Sequence, residues 1–377
     1  MAPIPLLLSA GEASGDLYAA RLATALRARA DVSLFGMGGP RMRAAGVDVI
    51  FDYSEVAVVG ISEVLRRLPA LRRAMRRLVS EANRRHPPFA ILTDFPSFHL
   101  RLARKLRRGG IRNIYYICPQ FWAWRPWRVR LVRRRFALAL CIFPFEEKFY
   151  ADAGVPVKFI GHPLVGEVRA SLSRDDFCRT HALDPQKPLI TILPGSRHSE
   201  LAHHLPVLRE ACALIHQQQS DVQFVLAAAP GLDARSLRSA MSPAPNMVIV
   251  EGQTYDALAA AAAAIVSSGT ATVEAALLNV PMVVIYRVSP ISAYLIMPLV
   301  RTPFASMVNL IAGRRVVPEL IQDDFTPGRV AQETLRLLRS SAATEEMRRG
   351  LAEVRAHLGP SGAVERAADL IASLLRQ

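Results

Sequence analysis

The sequence predicts an α/β protein built from two Rossmann-like, doubly wound domains that face a cleft. Apolar strands, glycine-rich turns and helical patterns alternate along the chain, which is typical of parallel sheets wrapped by helices. The chain has 377 residues, about twice the usual size of one domain, and the alternation begins again after a polar segment at 171–188. Ligand sites of this class lie at the carboxyl ends of the strands, so the site residues are expected there.

The two series of strands set the predicted domain boundaries. Strand candidates lie at 6–10, 89–93, 114–117 and 138–143 in the first series, and at 189–193, 222–227, 247–250, 263–266 and 282–285 in the second. We predict an N-terminal domain over 1–170, a linker over 171–188 and a C-terminal domain over 189–340. Residues 341–377 form a helical segment that we expect to pack on the N-terminal domain or on a partner subunit.

Composition and hydropathy predict a cytoplasmic protein. The stretch closest to membrane-spanning length, 280–300, is interrupted by Arg287 and three prolines. The N-terminus lacks a basic region, so we interpret its short apolar run as a first strand rather than a signal peptide. The four cysteines are widely separated and form no CxxC motif, which fits reduced thiols better than disulfides or a zinc site: Cys118, Cys141, Cys178 and Cys212.

Positive charge is concentrated in one region of the chain. Residues 60–135 contain 20 Arg and Lys but only three acidic residues, and the rest of the chain is close to neutral. Localised charge of this kind indicates an anionic partner, either nucleic acid or a phospholipid surface.

The run IVSSGTATVE at 265–274 predicts a buried strand, a turn of small residues and a new helix. Backbone N–H groups and the positive end of the helix dipole at Ser268, Gly269 and Thr270 favour an anion, usually a phosphate. Glu274 lies one turn further on, where it is suited to accept hydrogen bonds from hydroxyls such as those of a ribose. The alternative is an ordinary connection in which Ser and Thr cap the helix.

A similar turn, formed by Gly195, Ser196 and Arg197, follows the first strand of the second domain. An arginine here is able to bind phosphate bidentately and to stabilise charge on a departing diphosphate. A surface arginine without a ligand is the alternative. We favour the phosphate contact because a second turn of the same kind follows at 268–270.

Asp94 is the candidate general base. It follows the apolar strand at 89–93, next to Phe95 and Pro96, in a region with few acids. Desolvation there would raise its pKa and suit it to take a proton from an attacking hydroxyl. Helix capping or a turn hydrogen bond is the alternative role, and His99 is a competing base.

The turn after the first strand is expected to lie at the same edge as Asp94. Its residues Gly11, Glu12, Ser14 and Asp16 are candidates for holding acceptor hydroxyls or a sugar. The alternative is that Ser14 or Asp16 caps the following helix.

Residues 61–79 predict a basic amphipathic helix that is kinked or restarts at Pro69. We interpret it as a membrane-surface helix, because anionic headgroups attract arginines on the polar face. The alternative is a core helix with a solvated arginine face. The candidate membrane-contacting residues are Val64, Leu65, Arg66, Arg67, Leu68, Leu71, Arg72, Arg73, Met75 and Arg76.

All three tryptophans, Trp122, Trp124 and Trp127, lie among arginines at 120–128. One interpretation is a platform on which RNA bases stack. Packing at a strand end and contact with a lipid–water boundary are the alternatives.

Two motifs that bind nucleotides are absent from the sequence. There is no Asp-x-Asp that would form a carboxylate cage for a nucleotide-bound metal, and no GxxxxGK[ST] that would indicate a P-loop ATPase. We therefore expect neither a metal nor a cofactor, and we expect helix N-termini and arginine to stabilise the charge of a leaving group.

Nine motifs, in order and over nearly the whole chain, together resemble the lipid-A-disaccharide synthase family. They are SAGEASGD at 9–16, GPRM at 39–42, DFP at 94–96, PQ with WAWR at 119–125, FPFE at 143–146, GHP at 161–163, LPGSR at 193–197, SGTATVE at 268–274 and NLIAGR at 309–314.

The resemblance implies an inverting glycosyltransferase with the GT-B arrangement, in which the N-terminal domain takes the acceptor and faces the membrane and the C-terminal domain binds the UDP-sugar. It implies transfer from UDP-2,3-diacylglucosamine to 2,3-diacylglucosamine 1-phosphate through a β(1→6) linkage, with release of UDP. Family roles then fall on Asp94 as base, Arg197 and the turn at 268–270 on the UDP phosphates, Glu274 on the ribose and Asn309 in the donor site. Many members have a second acid three residues after the base, where this chain has Ser97.

The resemblance also implies a location and an assembly. Both substrates carry acyl chains and phosphate, so we expect a peripheral protein on the inner face of the inner membrane, with an anionic lipid surface rather than nucleic acid as its partner. Members tend to form homodimers that exchange C-terminal segments, and the amphipathic stretch 364–375 fits this. The alternative functions are another GT-B UDP-sugar transferase or epimerase, or a basic RNA-binding protein.

Overall fold

Contacts within the chain divide it into two compact units. The computed structural model describes residues 2–55, 61–242, 244, 246–289 and 302–376, and only the backbone of residues 61–67. Unit 1 comprises Met1–Pro163 and Leu358–Gln377, and unit 2 comprises Leu164–His357.

Unit 1 is built on a sheet of seven parallel strands in the order β3-β2-β1-β4-β5-β6-β7. Strands β1 to β7 are Ile4–Ala10, Val32–Gly38, Asp48–Asp52, Phe89–Thr93, Arg112–Tyr116, Leu138–Cys141 and Val157–Phe159. Helices α1 to α6 are Ala13–Arg27, Pro40–Ala44, Ile61–Arg85, Pro96–Arg108, Val129–Arg135 and Pro144–Asp152. The central strand β4 is buried along its whole length, as a parallel sheet covered by helices on both faces requires.

The strand order of unit 1 reverses between β1 and β4, which makes this the switch point where α/β sheets bind ligands. In the register of these strands Ala10 pairs with Thr93. The next residues along the chain, Gly11 and Asp94, therefore leave the same edge of the sheet side by side.

Unit 2 repeats this architecture with six parallel strands in the order β10-β9-β8-β11-β12-β13. Strands β8 to β13 are Leu189–Leu193, Gln223–Ala228, Met247–Glu251, Ala263–Ser267, Met282–Tyr286 and Glu319–Ile321. Helices α7 to α14 are Arg174–Thr180, His198–Gln218, Ala234–Met241, Thr254–Ala259, Thr270–Leu277, Met307–Ala312, Pro327–Arg339 and Ser341–His357. The predicted pair of doubly wound domains is thus confirmed.

The switch point of unit 2 lies between β8 and β11, where Leu193 pairs with Val266. The turns at 194–197 and 267–270 begin directly after these paired residues. The two predicted phosphate-binding turns are therefore neighbours.

The observed division of the chain differs from the predicted boundaries at 170, 188 and 340. The predicted linker contains α7 and belongs to unit 2, because the Asp256 carboxylate accepts hydrogen bonds from the backbone N–H groups of Ser171 (2.6 Å) and Leu172 (2.8 Å). The polar composition of 171–188 reflects such bonds rather than a free connection.

The C-terminal segment is shared between the two units. Helix α14 lies in unit 2, whereas the last helix, α15 (Ala363–Leu375), packs on α1 in unit 1. The Arg29 Nε atom lies 2.6 Å from Asp369 Oδ1 at this contact. The boundary thus falls between α14 and α15 rather than before α14.

Helix α3 is a core element of unit 1, which corrects part of the membrane prediction. Its residues Ala74, Leu78 and Ala82 are fully buried, and Leu71 and Met75 pack against the same core. The apolar side of the helix is therefore covered by protein and does not face a bilayer at Leu71 and Met75.

The exposure of the polar face of α3 fits both the membrane-surface prediction and the alternative of a solvated arginine face. Helix α3 is continuous through Pro69, and Arg72, Arg73 and Arg76 are exposed, while Leu68 is half-buried. The side chains of the remaining candidates lie outside the described residues: Val64, Leu65, Arg66 and Arg67. Among the helices that the structure describes, none combines the length and the hydrophobicity needed to cross a bilayer.

Candidate functional site

The chain makes an unusual turn at Asp94, directly after β4. Asp94 (φ 54°) and Phe95 (φ 46°) both lie in the left-handed region before α4 begins at Pro96. Non-glycine residues are uncommon in this region and persist where the surroundings hold them. Two such residues in succession mark this turn as a constrained position.

Glycines of the first turn leave the room that Asp94 and Phe95 need. A Cβ atom added to Gly11 would lie 2.4 Å from the Phe95 ring, and one added to Gly15 would lie 2.9 Å from Asp94 Oδ2. Gly11, a predicted contact for the acceptor, is therefore required by packing.

Two buried side chains hold the main chain at Asp94. Its carbonyl oxygen lies 2.7 Å from His99 Nδ1 and 3.1 Å from the Tyr115 hydroxyl. A carbonyl only accepts, so His99 Nδ1 carries the proton and His99 Nε2 accepts from the Ser9 hydroxyl, 2.9 Å away. Burial lowers the pKa of His99 to about 4, which keeps the ring neutral. His99 is therefore a positioning residue and not the competing base.

The Asp94 carboxyl has the properties of a general base that works near neutral pH. Burial raises its pKa to about 7, and the nearby negative charge of Glu12 contributes to the same shift. A base is most effective when its pKa is close to the working pH. Glu12 and Ser14 are exposed beside this turn, as expected for contacts to a ligand.

Asp16 does not have the predicted contact role. It is buried, and its carboxylate accepts hydrogen bonds from the backbone N–H groups of Gly39 (2.7 Å), Arg41 (3.0 Å) and Met42 (3.2 Å). These are donors at the start of α2, so Asp16 caps that helix from a distant part of the chain.

Unit 2 contains a cavity of about 640 Å³ at its switch point. The lining includes residues 195–197, 227–230, 252–256 and 267–271, together with Glu274. This volume lies within the range of small-molecule sites. The cavity thus brings together the two predicted phosphate turns and the predicted ribose contact.

The first of these turns is already capped. Glu200 Oε2 accepts hydrogen bonds from the backbone N–H groups of Ser196 (3.1 Å) and Arg197 (3.3 Å), and Glu200 Oε1 lies 3.4 Å from Arg197 Nη1. These two backbone N–H groups are therefore already used within the protein, so a phosphate at this turn would be bound by the Arg197 side chain. The Arg197 side chain itself is 71% exposed and extends from a fixed turn.

The second turn, at the start of α11, is open. Its N-cap residue Gly269 receives no side-chain cap, and a Cβ atom added there would meet nothing within 4 Å. The Ser268 hydroxyl donates to the Ala305 carbonyl (2.7 Å), which orders the turn. The buried Ser267 hydroxyl lines the cavity and has no hydrogen-bond partner among the described residues. Thr270 begins the helix and is exposed.

Two residues that the sequence reasoning did not single out support this cavity. The Tyr255 hydroxyl donates to Glu274 Oε1 (3.1 Å), and burial raises the pKa of Glu274. His204 is buried and joins the two sides of the switch point, since its Nδ1 lies 2.6 Å from the Pro194 carbonyl and its Nε2 accepts from Arg287 N–H at 2.9 Å.

Asn309 does not line the cavity, contrary to the prediction. Its Nδ2 donates to the Val317 carbonyl (2.9 Å) and to Glu319 Oε1 (2.8 Å), and its Oδ1 accepts from the N–H groups of Val316 (2.7 Å) and Val317 (3.0 Å). These bonds use the full capacity of an amide side chain. Asn309 therefore fixes the chain between α12 and β13.

The tryptophans of segment 120–128 differ in exposure. Trp122 is half-buried and donates to the buried Glu146 carboxylate at 3.0 Å. Trp124 and Trp127 are 39% and 59% exposed. The Arg125 guanidinium carbon lies 4.5 Å from the Trp124 ring centroid. The exposed pair forms an apolar and cationic surface on unit 1.

Within the described part of the chain, no group of three or more His, Cys, Asp or Glu residues is arranged to hold a metal ion.

Comparison with known proteins adds sequence and fold relationships. The family model described as lipid-A-disaccharide synthetase matches residues 6–368. The lipid-A-disaccharide synthase of Solibacter usitatus is 48% identical over 372 residues, which cover 98% of this chain and 97% of the relative. The corresponding protein of Myxococcus xanthus is 43% identical over 375 residues, which cover 99% and 98%.

Solved structures of distant sequence share the fold. The S. aureus MnaA–UDP co-structure has a TM-score of 0.69 at 11% identity and covers 99% of this chain and 97% of that chain. CalG4, the calicheamicin glycosyltransferase, has a TM-score of 0.63 at 18% identity and covers 100% and 99%. At these identities the likeness supports the fold alone, which is the GT-B fold.

Replacement of Asp94 by Asn should stabilise the protein at alkaline pH. The pKa of Asp94 rises from 3.8 to about 7 on folding, so the folded state holds more protons between these values and wild-type stability falls as the pH rises through them. We compare the unfolding free energy of Asp94→Asn with that of the wild type at each pH. The difference in favour of the variant should be about 2–4 kcal/mol larger at pH 8 than at pH 5.

Urea unfolding at the two pH values measures this difference. The matched control is Asp31→Asn, which removes an exposed carboxyl of unit 1 and should have the same small effect at both values. An equal effect of Asp94→Asn on the unfolding free energy at pH 5 and pH 8 would contradict the raised pKa of Asp94.

Proposed function

Because the chain belongs to the lipid-A-disaccharide synthetase family and is a glycosyltransferase, we propose that it joins UDP-2,3-diacylglucosamine to 2,3-diacylglucosamine 1-phosphate. The products are the β(1→6)-linked lipid A disaccharide 1-phosphate and UDP. The observation that carries this proposal is the cavity of unit 2, where an open helix N-terminus, an exposed arginine and a half-buried carboxylate converge. The family match does not favour another UDP-sugar transferase, an epimerase or an RNA-binding protein.

Unit 2 binds the UDP part of the donor. The diphosphate lies at the N-terminus of α11, where backbone N–H groups and the helix dipole favour negative charge. The Arg197 guanidinium neutralises the same charge from the neighbouring turn. Glu274 accepts hydrogen bonds from the ribose hydroxyls, and Tyr255 holds its carboxylate in position. Asn309 acts only through the fold.

Asp94 of unit 1 takes the proton from the 6-hydroxyl of the acceptor. The freed oxygen forms a bond to the anomeric carbon of the donor, and the bond from that carbon to the diphosphate breaks. The bonding electrons leave with UDP, whose charge Arg197 and the α11 amides stabilise. One displacement inverts the anomeric centre. Glu12 and Ser14, exposed beside Asp94, contact acceptor hydroxyls.

The wild-type protein with both substrates should form the disaccharide, with kcat/KM rising as the pH increases through about 7. Only the ionised form of Asp94 accepts a proton, and its pKa is about 7. Asp94→Asn should lower kcat by about 100-fold or more. Mass spectrometry of the lipid products measures both effects, and Asp31→Asn is the control. Near-normal turnover by Asp94→Asn would mean that another group is the base.

Arg197→Ala should weaken the binding of UDP by about tenfold or more, since hydrogen bonds to charged groups contribute about 1.5–3 kcal/mol. Isothermal titration of UDP measures the affinity. The control is Arg235→Ala, which removes an exposed arginine of the same unit outside the cavity lining. This variant should leave the affinity for UDP unchanged. Equal affinities for the two variants would remove Arg197 from the phosphate site.

The same family membership supports a peripheral location on the inner face of the inner membrane, which we include in the proposal. The exposed Arg72, Arg73 and Arg76 of α3 attract anionic headgroups. Trp124 and Trp127 add apolar contact at the lipid–water boundary, where tryptophan is favoured. This assigns the apolar part of the contact to the tryptophans rather than to Leu71 and Met75.

Trp127→Ala should weaken binding to phosphatidylglycerol vesicles by about tenfold, because burying a large apolar side chain contributes roughly 1.5–3 kcal/mol. Vesicle co-sedimentation measures the affinity. The control Leu232→Ala removes a half-buried apolar side chain of unit 2. Unchanged binding by Trp127→Ala would show that the tryptophan surface does not touch the lipid.

A homodimer with exchanged C-terminal segments stays a prediction. Helix α15 contacts α1 of its own chain, and a second copy would offer the same α1 surface. The mass in solution distinguishes a monomer from a dimer.

A further inference from the structure

Arg128 lies next to the turn that carries the proposed base. It ends the 3₁₀ turn Pro126–Arg128, and its Nη1 atom donates to the Ser97 hydroxyl oxygen at 3.4 Å. Ser97 is exposed in the first turn of α4, three residues after Asp94. The guanidinium is thus tied to the same segment that supplies the Asp94 carboxyl.

Two aromatic rings lie next to this guanidinium. Its central carbon lies 5.6 Å from the Trp127 ring centroid and 6.0 Å from the Phe121 centroid. Arg128 is half-buried, and Phe121 is fixed in the core of unit 1. An arginine held in this way loses little freedom when it binds a ligand.

The positive charge of Arg128 is uncompensated within the part of the chain that the structure describes. No described carboxylate forms an ion pair with it. Burial lowers the pKa of Arg128, and repulsion by Arg125 and Arg101 contributes to the same shift. Ser97 accepts only one of the five N–H bonds of a guanidinium. Three cations thus share a region whose charge an external dianion would balance.

We propose that Arg128, assisted by Arg125 and Arg101, binds the phosphate monoester of the acceptor sugar, an inference that rests on the function proposed above. A guanidinium matches two phosphate oxygens with parallel hydrogen bonds, and a monoester carries nearly two negative charges. The site differs from the diphosphate site, which belongs to unit 2. Holding the sugar by its phosphate leaves the hydroxyl at its other end free to meet Asp94.

Phosphate of the same chemistry is also present in lipid headgroups, so the experiment has two arms. In the first arm, kinetics are measured in neutral detergent micelles without anionic lipid. Arg128→Gln should raise KM for the phosphorylated acceptor about tenfold or more, with kcat and the donor KM nearly unchanged. KM for an acceptor without the phosphate should not change. Arg128→Lys, which keeps the charge but not the paired donors, should have an intermediate effect.

The matched control is Arg108→Gln, which removes an exposed arginine from the last turn of α4. Equal KM values for Arg108→Gln and Arg128→Gln would overturn the proposed site. The same rise in KM for acceptors with and without phosphate would also overturn it, because the loss would then not concern the phosphate.

In the second arm, co-sedimentation with phosphatidylglycerol vesicles is compared for the same variants. Unchanged vesicle binding by Arg128→Gln supports an acceptor site. Loss of vesicle binding with a normal KM in micelles would assign Arg128 to a lipid headgroup and overturn the site.

Isothermal titration of the phosphorylated acceptor without donor gives an independent readout. Wild-type protein that forms no disaccharide would contradict the proposed function, whereas equal affinities of wild type and Arg128→Gln in this titration would contradict only the phosphate site.

Discussion

The left-handed backbone at Asp94 and Phe95 is the constraint on which the unit 1 site depends. Each such residue costs on the order of 1–3 kcal/mol and persists only where its surroundings determine it. His99 and Tyr115 hold the Asp94 carbonyl, and Gly11 leaves room for the Phe95 ring. These restraints act on the main chain, so the turn is fixed while the carboxyl keeps a pKa near neutrality.

The two turns of unit 2 differ in whether a carboxylate of the protein already caps their backbone N–H groups. Glu200 acts as an internal anion at the start of α8, satisfying amides that would otherwise attract a ligand and fixing the base of the Arg197 side chain. The turn at Gly269 has no such group and stays open. The capped turn therefore carries an exposed cation, and the uncapped turn offers the dipoles of its backbone N–H groups. Both kinds of group are useful where a diphosphate gains charge during bond cleavage.

The sequence predicts the switch-point strands well, and 89–93 and 189–193 agree with the structure to the residue, because continuous apolar runs end there at small or polar residues. It does not predict the partners of Asp16, whose three amide donors lie more than 20 residues away. The sequence does not predict the partners of Asn309 either, because an amide side chain forms hydrogen bonds with a ligand or with a distant loop equally well. Glu200 was predictable, because a glutamate three residues after a helix N-cap is the capping-box spacing.

The arginines of residues 60–135 have several separate tasks, so their net charge has no single explanation. Arg84 pairs with Glu81, and Arg135 donates to the main chain, whereas Arg72 is solvated and Arg128 lies near two aromatic rings. In the proposed membrane contact, the described apolar side of α3 packs on the core, so the exposed Arg72, Arg73 and Arg76 would attract anionic headgroups by charge, and salt would weaken that attraction. An attachment of this kind is reversible. Reversibility would suit the proposed function, in which acylated substrates are collected from a lipid surface and a still more hydrophobic product is returned to it.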